Sequence, residues 1–183
     1  MMARERNNFV MELKKFLDHS LVEAHLKKMS AHLQMQSQEL VLDVVLMEGA
    51  RYFYEHLTAL GDWQHDCLEM NAKSYVGTRS TGTVSVLELN EDIRHYKTIN
   101  IFDDLCDTGL TLLKVSDFLR ERAGSGTLIN LYTLFNKPSC NNLKLSFPSI
   151  DVPAKFIVGC GLDYNGEFRD LDGLYELILS NEK

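Results

Sequence analysis

The sequence has no excess of positive charge: 19 Lys and Arg face 26 Asp and Glu, a formal net charge of −7. Binding to a nucleic-acid backbone draws its affinity from dense Lys and Arg, so that class of partner is excluded. A phosphorylated ligand must instead be held locally, by backbone N–H groups, a metal ion or a few placed cations. Long apolar runs are missing too. The longest, Leu40 to Met47, is broken by Asp43 and is far too short to span a bilayer. Cysteine is sparse: Cys67, Cys106, Cys140 and Cys160 form no C-x-x-C pair. With no secretory signal segment legible, a reduced cytoplasmic setting is expected. Internal repeats and low-complexity tracts are absent.

What remains is 183 residues, 45% of them hydrophobic and 25% charged, the composition of one globular domain with a real core. Ser20 and Glu23 make a capping-box pattern. Behind them Leu21, Val22, Leu26, Met29 and Leu33 recur at helical spacing, predicting a helix over about 20–35. Leu40 to Leu46 reads as a strand buried on both faces, stopped at Gly49, and a helix follows from Ala50 to about Leu60. Cys67–Tyr75, Thr83–Leu89, Thr98–Phe102, Leu128–Phe135 and Lys155–Gly159 read as strands, and Thr108–Arg122 as a helix. Strands alternating with helices predict an α/β fold with a mainly parallel, twisted sheet flanked by helices. The last ~45 residues break the alternation and are expected to form a separate cap or flap.

The chemistry concentrates in Ile99-Asn100-Ile101-Phe102-Asp103-Asp104-Leu105-Cys106-Asp107-Thr108-Gly109-Leu110-Thr111. This is a strand, an acidic turn, and a T-G-x-T run opening a helix. Ligands of open parallel sheets bind at the carboxyl ends of strands. Helix-start N–H groups and the helix dipole suit a phosphate there, and Gly109 lets the backbone approach closely. Asp103 and Asp104 can accept hydrogen bonds from hydroxyls or bind Mg²⁺. A lone D-T-G would read as Asp107 capping a helix beside a solvated acidic turn. The full strand, acid, loop and helix context favours a ligand site.

This segment resembles the phosphoribosyl pyrophosphate motif of the type I phosphoribosyltransferases, and the match is nearest to the hypoxanthine-guanine phosphoribosyltransferase family. The resemblance runs in the family's order from about Leu17 to Leu171. Met47-Glu48-Gly49-Ala50 resembles the pyrophosphate loop. Lys73-Ser74-Tyr75, with the two-glycine loop from Val76 to Gly82, resembles the mobile catalytic loop. Lys137-Pro138 resembles the position of the purine-reading lysine. Lys155 to Gly159, Gly161-Leu162-Asp163-Tyr164 and Phe168-Arg169-Asp170-Leu171 resemble the base-binding hood. The implied fold is a single domain over 1–183, with a core of about 36–136 and a small hood built from about 1–19 and 137–183.

The resemblance also implies roles. Asp103 and Asp104 hold the ribose hydroxyls, partly through Mg²⁺. Asp107 is the acid/base residue beside N7 of the purine, and Asp107, Thr108, Gly109, Leu110 and Thr111 cradle the 5′-phosphate. Glu48, Gly49, Ser74, Tyr75 and Arg169 form the pyrophosphate side. Lys137 donates to O6 of the base, Phe156 stacks on it, the Ile157 backbone meets its edge, and Asp163 binds a second Mg²⁺. The implied activity transfers a phosphoribosyl group to hypoxanthine or guanine, with xanthine as a further acceptor. Its small-molecule partners are phosphoribosyl pyrophosphate and a 6-oxopurine; neither nucleic acid nor membrane is implied, and the assembly is a homodimer or homotetramer.

Taken singly, Phe156 reads as core, Lys137 as a solvated turn residue and Arg169 as a surface pair with Asp170 or Asp172. Only their order with the acidic motif says otherwise. His25 and His32 could share a helix face but lack a third convergent ligand. Glu48 departs from the family, which carries a basic or small polar residue before that glycine. A carboxylate facing pyrophosphate would repel it, so Glu48 is expected to point away and pair with a cation, Arg51 or a residue of a neighbouring subunit. Cys106, at a position usually aliphatic in the family, is expected to pack as a small hydrophobe. Two other readings compete. One is a non-catalytic sensor of phosphoribosyl pyrophosphate with the same fold. The other is an acidic-pocket signalling domain, in which Asp103 and Asp104 bind Mg²⁺ and supply the phosphoacceptor.

Overall fold

The computed structural model describes residues 9–36, 39–74, 84–86, 89–140 and 143–181. Nine strands and three α-helices are described: β1 (Phe9–Asp18), α1 (His19–Gln34), β2 (Val41–Met47), α2 (Ala50–Thr58), β3 (Asp66–Ser74), β4 (Val84–Val86), β5 (Thr98–Cys106), α3 (Leu110–Arg120), β6 (Leu128–Asn136), β7 (Ile150–Asp151), β8 (Ile157–Val158) and β9 (Gly173–Asn181). The main sheet has the order β4-β3-β2-β5-β6-β7. Strands β3, β2, β5, β6 and β7 are parallel, and β4 is antiparallel to β3. The fold is the expected α/β class.

Period-two alternation divides the sheet between two cores. Leu42, Val44, Leu46, Ile99, Ile101 and Leu131 face α3, against Leu112, Val115 and Leu119. The other face buries Phe102, Tyr132 and Leu134 against Val22, Leu26, Met29 and Leu33 of α1 and Phe53 and Leu57 of α2. Phe102 stacks on Tyr132 at 5.1 Å and meets Phe53 edge-on at 5.9 Å. Among the described residues no helix is long and apolar enough to cross a membrane.

Several elements differ from the sequence reading. The helix of α1 begins at His19 and takes Asp18 as N-cap without a side-chain bond. Ser20 and Glu23 therefore form no capping box, and Glu23 instead holds Lys27 one turn on. Strand β5 does not stop at the acids. Asp103 and Asp104 are inside it, because the strand stays paired with β6 through Cys106↔Asn136. Strand β7 lies in the stretch assigned to the cap, yet it extends the main sheet. Strands β1 and β9, unread in the sequence, pair antiparallel from Phe9↔Asn181 to Asp18↔Gly173, and β8 joins them in a second sheet.

The acid that interrupts the apolar run of β2 has a structural role. Asp43 is fully buried. It accepts from Tyr54 Oη (2.8 Å) and Asn100 Nδ2 (2.9 Å), and His65 Nδ1 lies 3.0 Å away. Burial, then the nearby Asp43 carboxylate, pushes the Tyr54 phenol far above its ordinary value, so it serves as a fixed donor. Asp43→Ala removes the shared acceptor and leaves buried donors unpaired. It should lower stability by about 3–5 kcal/mol, read from urea unfolding; a loss under about 1 kcal/mol would show that the donors find other partners.

Candidate functional site

Strand β2 stands between β3 and β5, so the chain leaves it in one direction and returns on its other side. That reversal is a topological switch point, where parallel sheets open a crevice at their carboxyl ends. Met47 ends β2 there and Asp103–Cys106 end β5. The turn after β2 carries a cis peptide bond between Met47 and Glu48. Gly49 then packs so closely on β5 that an added Cβ would collide with the Asp104 carboxylate. Its backbone angles, φ −60° and ψ −51°, are ordinary helical ones. Clearance from Asp104 is what requires glycine at this position.

Asp103 and Asp104 lie side by side, both half-buried. Asp103 Oδ1 accepts the Asp104 N–H (3.1 Å), and Asp104 Oδ1 accepts the Leu105 N–H (2.8 Å). Burial, then the neighbouring Asp104 charge, raises the Asp103 carboxyl well above the usual range; burial also raises Asp104, opposed by the Leu105 N–H and more weakly by Arg169. Such a pair of hard oxygen donors, short of solvation and of positive charge, suits a divalent cation. Among the described residues no three His, Cys, Asp or Glu side chains converge into a ready-made metal cage.

Beyond the acids, Asp107, Thr108 and Gly109 form the loop before α3. Gly109 adopts φ 78° and is the N-cap, with no side-chain cap bond. The helix thus starts at Leu110, two residues later than expected, and Asp107 is not its cap. The Asp107 carboxylate instead receives Lys137 Nζ on Oδ2 at 3.1 Å, while Ser139 Oγ donates to the Asp107 carbonyl. Lys137 is held in place by its own N–H on the Cys106 carbonyl (2.9 Å), and its side chain is only 15% exposed. It is no solvated turn residue. Ser139 gave no signal in the sequence beyond its place after Lys137-Pro138. Thr108 Oγ1 accepts the Leu110 N–H at 3.4 Å. Leu110 is exposed and Thr111 half-buried at the head of α3.

Beside the turn after β2, Arg169 Nη2 contacts Asp163 Oδ1 at 3.0 Å and Glu48 Oε2 at 3.7 Å. Asp163 also accepts the Gly166 N–H at 2.6 Å. The expected partner of Glu48, Arg51, is committed elsewhere, 3.6 Å from Glu69. Arg169 is not a surface partner of Asp170 or Asp172, and Asp172 faces Lys15. Phe156 is 51% exposed, with Tyr164 edge-on at 5.5 Å, so it is not core. Ile157 is buried in β8.

The cysteines depart from expectation. Cys106 is buried, as a small hydrophobe would be, but it is joined to Cys140 by a disulfide with Cα atoms 5.9 Å apart; Cys67 and Cys160 are free. His25 and His32 do share a face, both packing on Phe147. Tyr75 and the loop from Val76 to Gly82 lie outside the described residues, as does the Ser74 side chain at the end of β3.

A switch-point crevice with paired acids, a glycine-opened loop at a helix start and a nearby arginine is the arrangement of an α/β protein with a ligand site at the carboxyl ends of its strands. The phosphoribosyl transferase domain model matches residues 12–165. The hypoxanthine phosphoribosyltransferase of Escherichia coli strain K12 is 33% identical over 181 residues, 93% of this chain and 100% of its own. The hypoxanthine-guanine-xanthine phosphoribosyltransferase of Plasmodium falciparum is 30% identical over 141 residues, 69% of this chain but only 60% of that longer protein. The crystal structure of a hypoxanthine phosphoribosyltransferase from Staphylococcus aureus superposes with a TM-score of 0.79 at 26% identity, covering 90% of this chain and 91% of that one. The chain belongs to the phosphoribosyltransferase family, among its hypoxanthine-guanine members.

The contact between Gly49 and Asp104 makes a specific demand. Gly49→Ala suits the backbone, and in an ordinary helix position the change would stabilise by up to about 1 kcal/mol. Here overpacking against Asp104 should reverse the sign and cost about 1–3 kcal/mol in urea unfolding. A stabilised variant would mean that the two strand ends do not approach as described.

Proposed function

We propose that the protein transfers the 5-phosphoribosyl group from phosphoribosyl pyrophosphate to hypoxanthine or guanine, with xanthine a further acceptor, giving the purine nucleotide and pyrophosphate. The observation that carries this reading is the 3.1 Å approach of Lys137 Nζ to Asp107 Oδ2. A 6-oxopurine that carries its proton on N7 presents a donor, N7–H, beside the acceptor O6 on one edge; adenine presents an amino donor in place of that acceptor. Lys137 is a pure donor for O6, and Asp107 holds or receives the proton at N7. Adenine would set its amino group against the lysine, two donors facing each other.

The remaining roles complete the proposal. Thr108 to Thr111 and the head of α3 cradle the 5′-phosphate through N–H groups and hydroxyls. Phe156, exposed beside Tyr164, offers a stacking face for the base, and the Ile157 backbone meets its edge. Arg169 supplies a planar cation for pyrophosphate oxygens, and the backbone of Glu48 and Gly49 lines the same side. Asp103, Asp104 and Asp163 would hold Mg²⁺, which neutralises charge on the departing pyrophosphate. The acids at the strand end also stabilise the cation-like sugar of the substitution. We assign residues 1–183 to one domain, with a core of about 36–136 and a hood of about 1–19 and 137–183, where β1, β8 and β9 make a sheet of their own. The location is cytoplasmic, and the assembly is a homodimer or homotetramer.

One absorbance assay tests the assignment: phosphoribosyl pyrophosphate and Mg²⁺ with each of hypoxanthine, guanine, xanthine and adenine. Turnover of hypoxanthine or guanine should far exceed that of adenine, and EDTA should abolish it; faster adenine turnover would sink the base assignment. Asp107→Asn should lower kcat by roughly 10²–10⁴, the usual worth of a positioned acid/base group. A kcat within twofold of the parent would leave Asp107 without a catalytic role.

A further inference from the structure

We propose that Glu48 competes with pyrophosphate for Arg169: its carboxylate pairs with the guanidinium and must be displaced for the ligand to bind. The inference rests on the transferase reading above.

Two carboxylates share one guanidinium nitrogen. Asp163 Oδ1 lies 3.0 Å from Arg169 Nη2 and Glu48 Oε2 3.7 Å from the same atom. The two contacts are unequal in more than length. The Asp163 side chain is 31% exposed and fixed by the Gly166 N–H, whereas the Glu48 side chain is 77% exposed. The Arg169 carbonyl accepts the Gly161 N–H at 3.0 Å, which anchors the arginine backbone. Asp163 is therefore the fixed partner and Glu48 the exchangeable one. An exposed pair is weak because solvent screens it and two long side chains must be ordered to make it. That weakness is what allows a ligand to replace it.

A phosphate group offers a guanidinium more oxygens and more charge than a carboxylate does. Pyrophosphate would win Arg169 and turn Glu48 out toward solvent. The reverse exchange assists departure: as pyrophosphate leaves, Glu48 returns to the arginine. Glu48 thus weakens the binding of substrate and product alike through one shared cation. Arg51, three residues along the chain, pairs with Glu69.

The test uses the full chain at fixed ionic strength. Glu48→Gln keeps the side chain's size and removes its charge. Calorimetric titration with magnesium pyrophosphate should show a Kd about two- to fivefold lower than the parent's. In steady state the KM for phosphoribosyl pyrophosphate and the inhibition constant of pyrophosphate should fall by the same factor, each by more than any change in kcat. In an Arg169→Gln background the same substitution should change the pyrophosphate Kd by less than 1.5-fold, because the shared cation is gone. Unchanged or weaker pyrophosphate binding by Glu48→Gln would overturn the proposal. So would an undiminished gain in the Arg169→Gln background, which would mean direct repulsion. A parent chain that turns over no purine would sink the transferase reading, and the calorimetric arm would still decide the role of Glu48; a parent that binds no pyrophosphate would overturn both.

Discussion

The parallel pairing of β2 with β5 sets where everything else in the site can be. Their register, Val41↔Thr98 through Val45↔Phe102, delivers the turn after β2 alongside the acids that end β5. Gly49 then has no room for a side chain beside Asp104. Buried polar contacts secure that register from below. Asp43 on β2 binds Asn100 on β5, and Asn100 accepts from Asn130 on β6. A one-residue slip would turn every side chain of a strand to the opposite face. It would break this polar chain and move Asp103 and Asp104 out of the crevice at once. Stability and function therefore depend on the same strand pairing.

The β5 segment was legible in the sequence because its secondary structure and its chemistry occupy contiguous residues. A strand, two acids, a glycine loop and a helix can be read in order without knowing what lies across from them. The main sheet was legible for a related reason: strands buried on both faces are continuous apolar runs. The antiparallel pair β1–β9 was not, because its partners come from opposite ends of the chain. Glu12, Lys14, Lys15 and Asp18 also interleave charge into a strand that pairs along one edge only. Ser20 and Glu23 misled because a capping pattern says nothing about where the preceding strand ends.

Within the site, the contacts left unread are those between distant segments. Nothing local to Glu48 names Arg169 as its partner, and nothing local to Cys106 names Cys140. Arg51, three residues from Glu48, was the natural local candidate, but α2 carries it to Glu69 on the neighbouring strand. Exposure corrected other readings. Phe156 sits among apolar neighbours in sequence yet stands half exposed just before β8, whereas Lys137, polar and beside a proline, is largely covered.

A site this acidic accepts a polyanion only by rearranging its charge. Asp103 and Asp104 lie side by side, and Glu48 and Asp163 share Arg169, so a polyanion that arrived with no counter-ion would meet more repulsion than attraction. Two kinds of compensation are built in, and they differ in character. The paired acids can be neutralised by a divalent cation, which converts them from a cost into an attachment. The arginine is already neutralised, by carboxylates that are themselves poor imitations of phosphate. Asp107 and Lys137, proposed above to read the purine, likewise satisfy each other across 3.1 Å. In each case a protein group stands in for part of the ligand. Of these contacts the exposed one between Glu48 and Arg169 is the weakest, because solvent screens it.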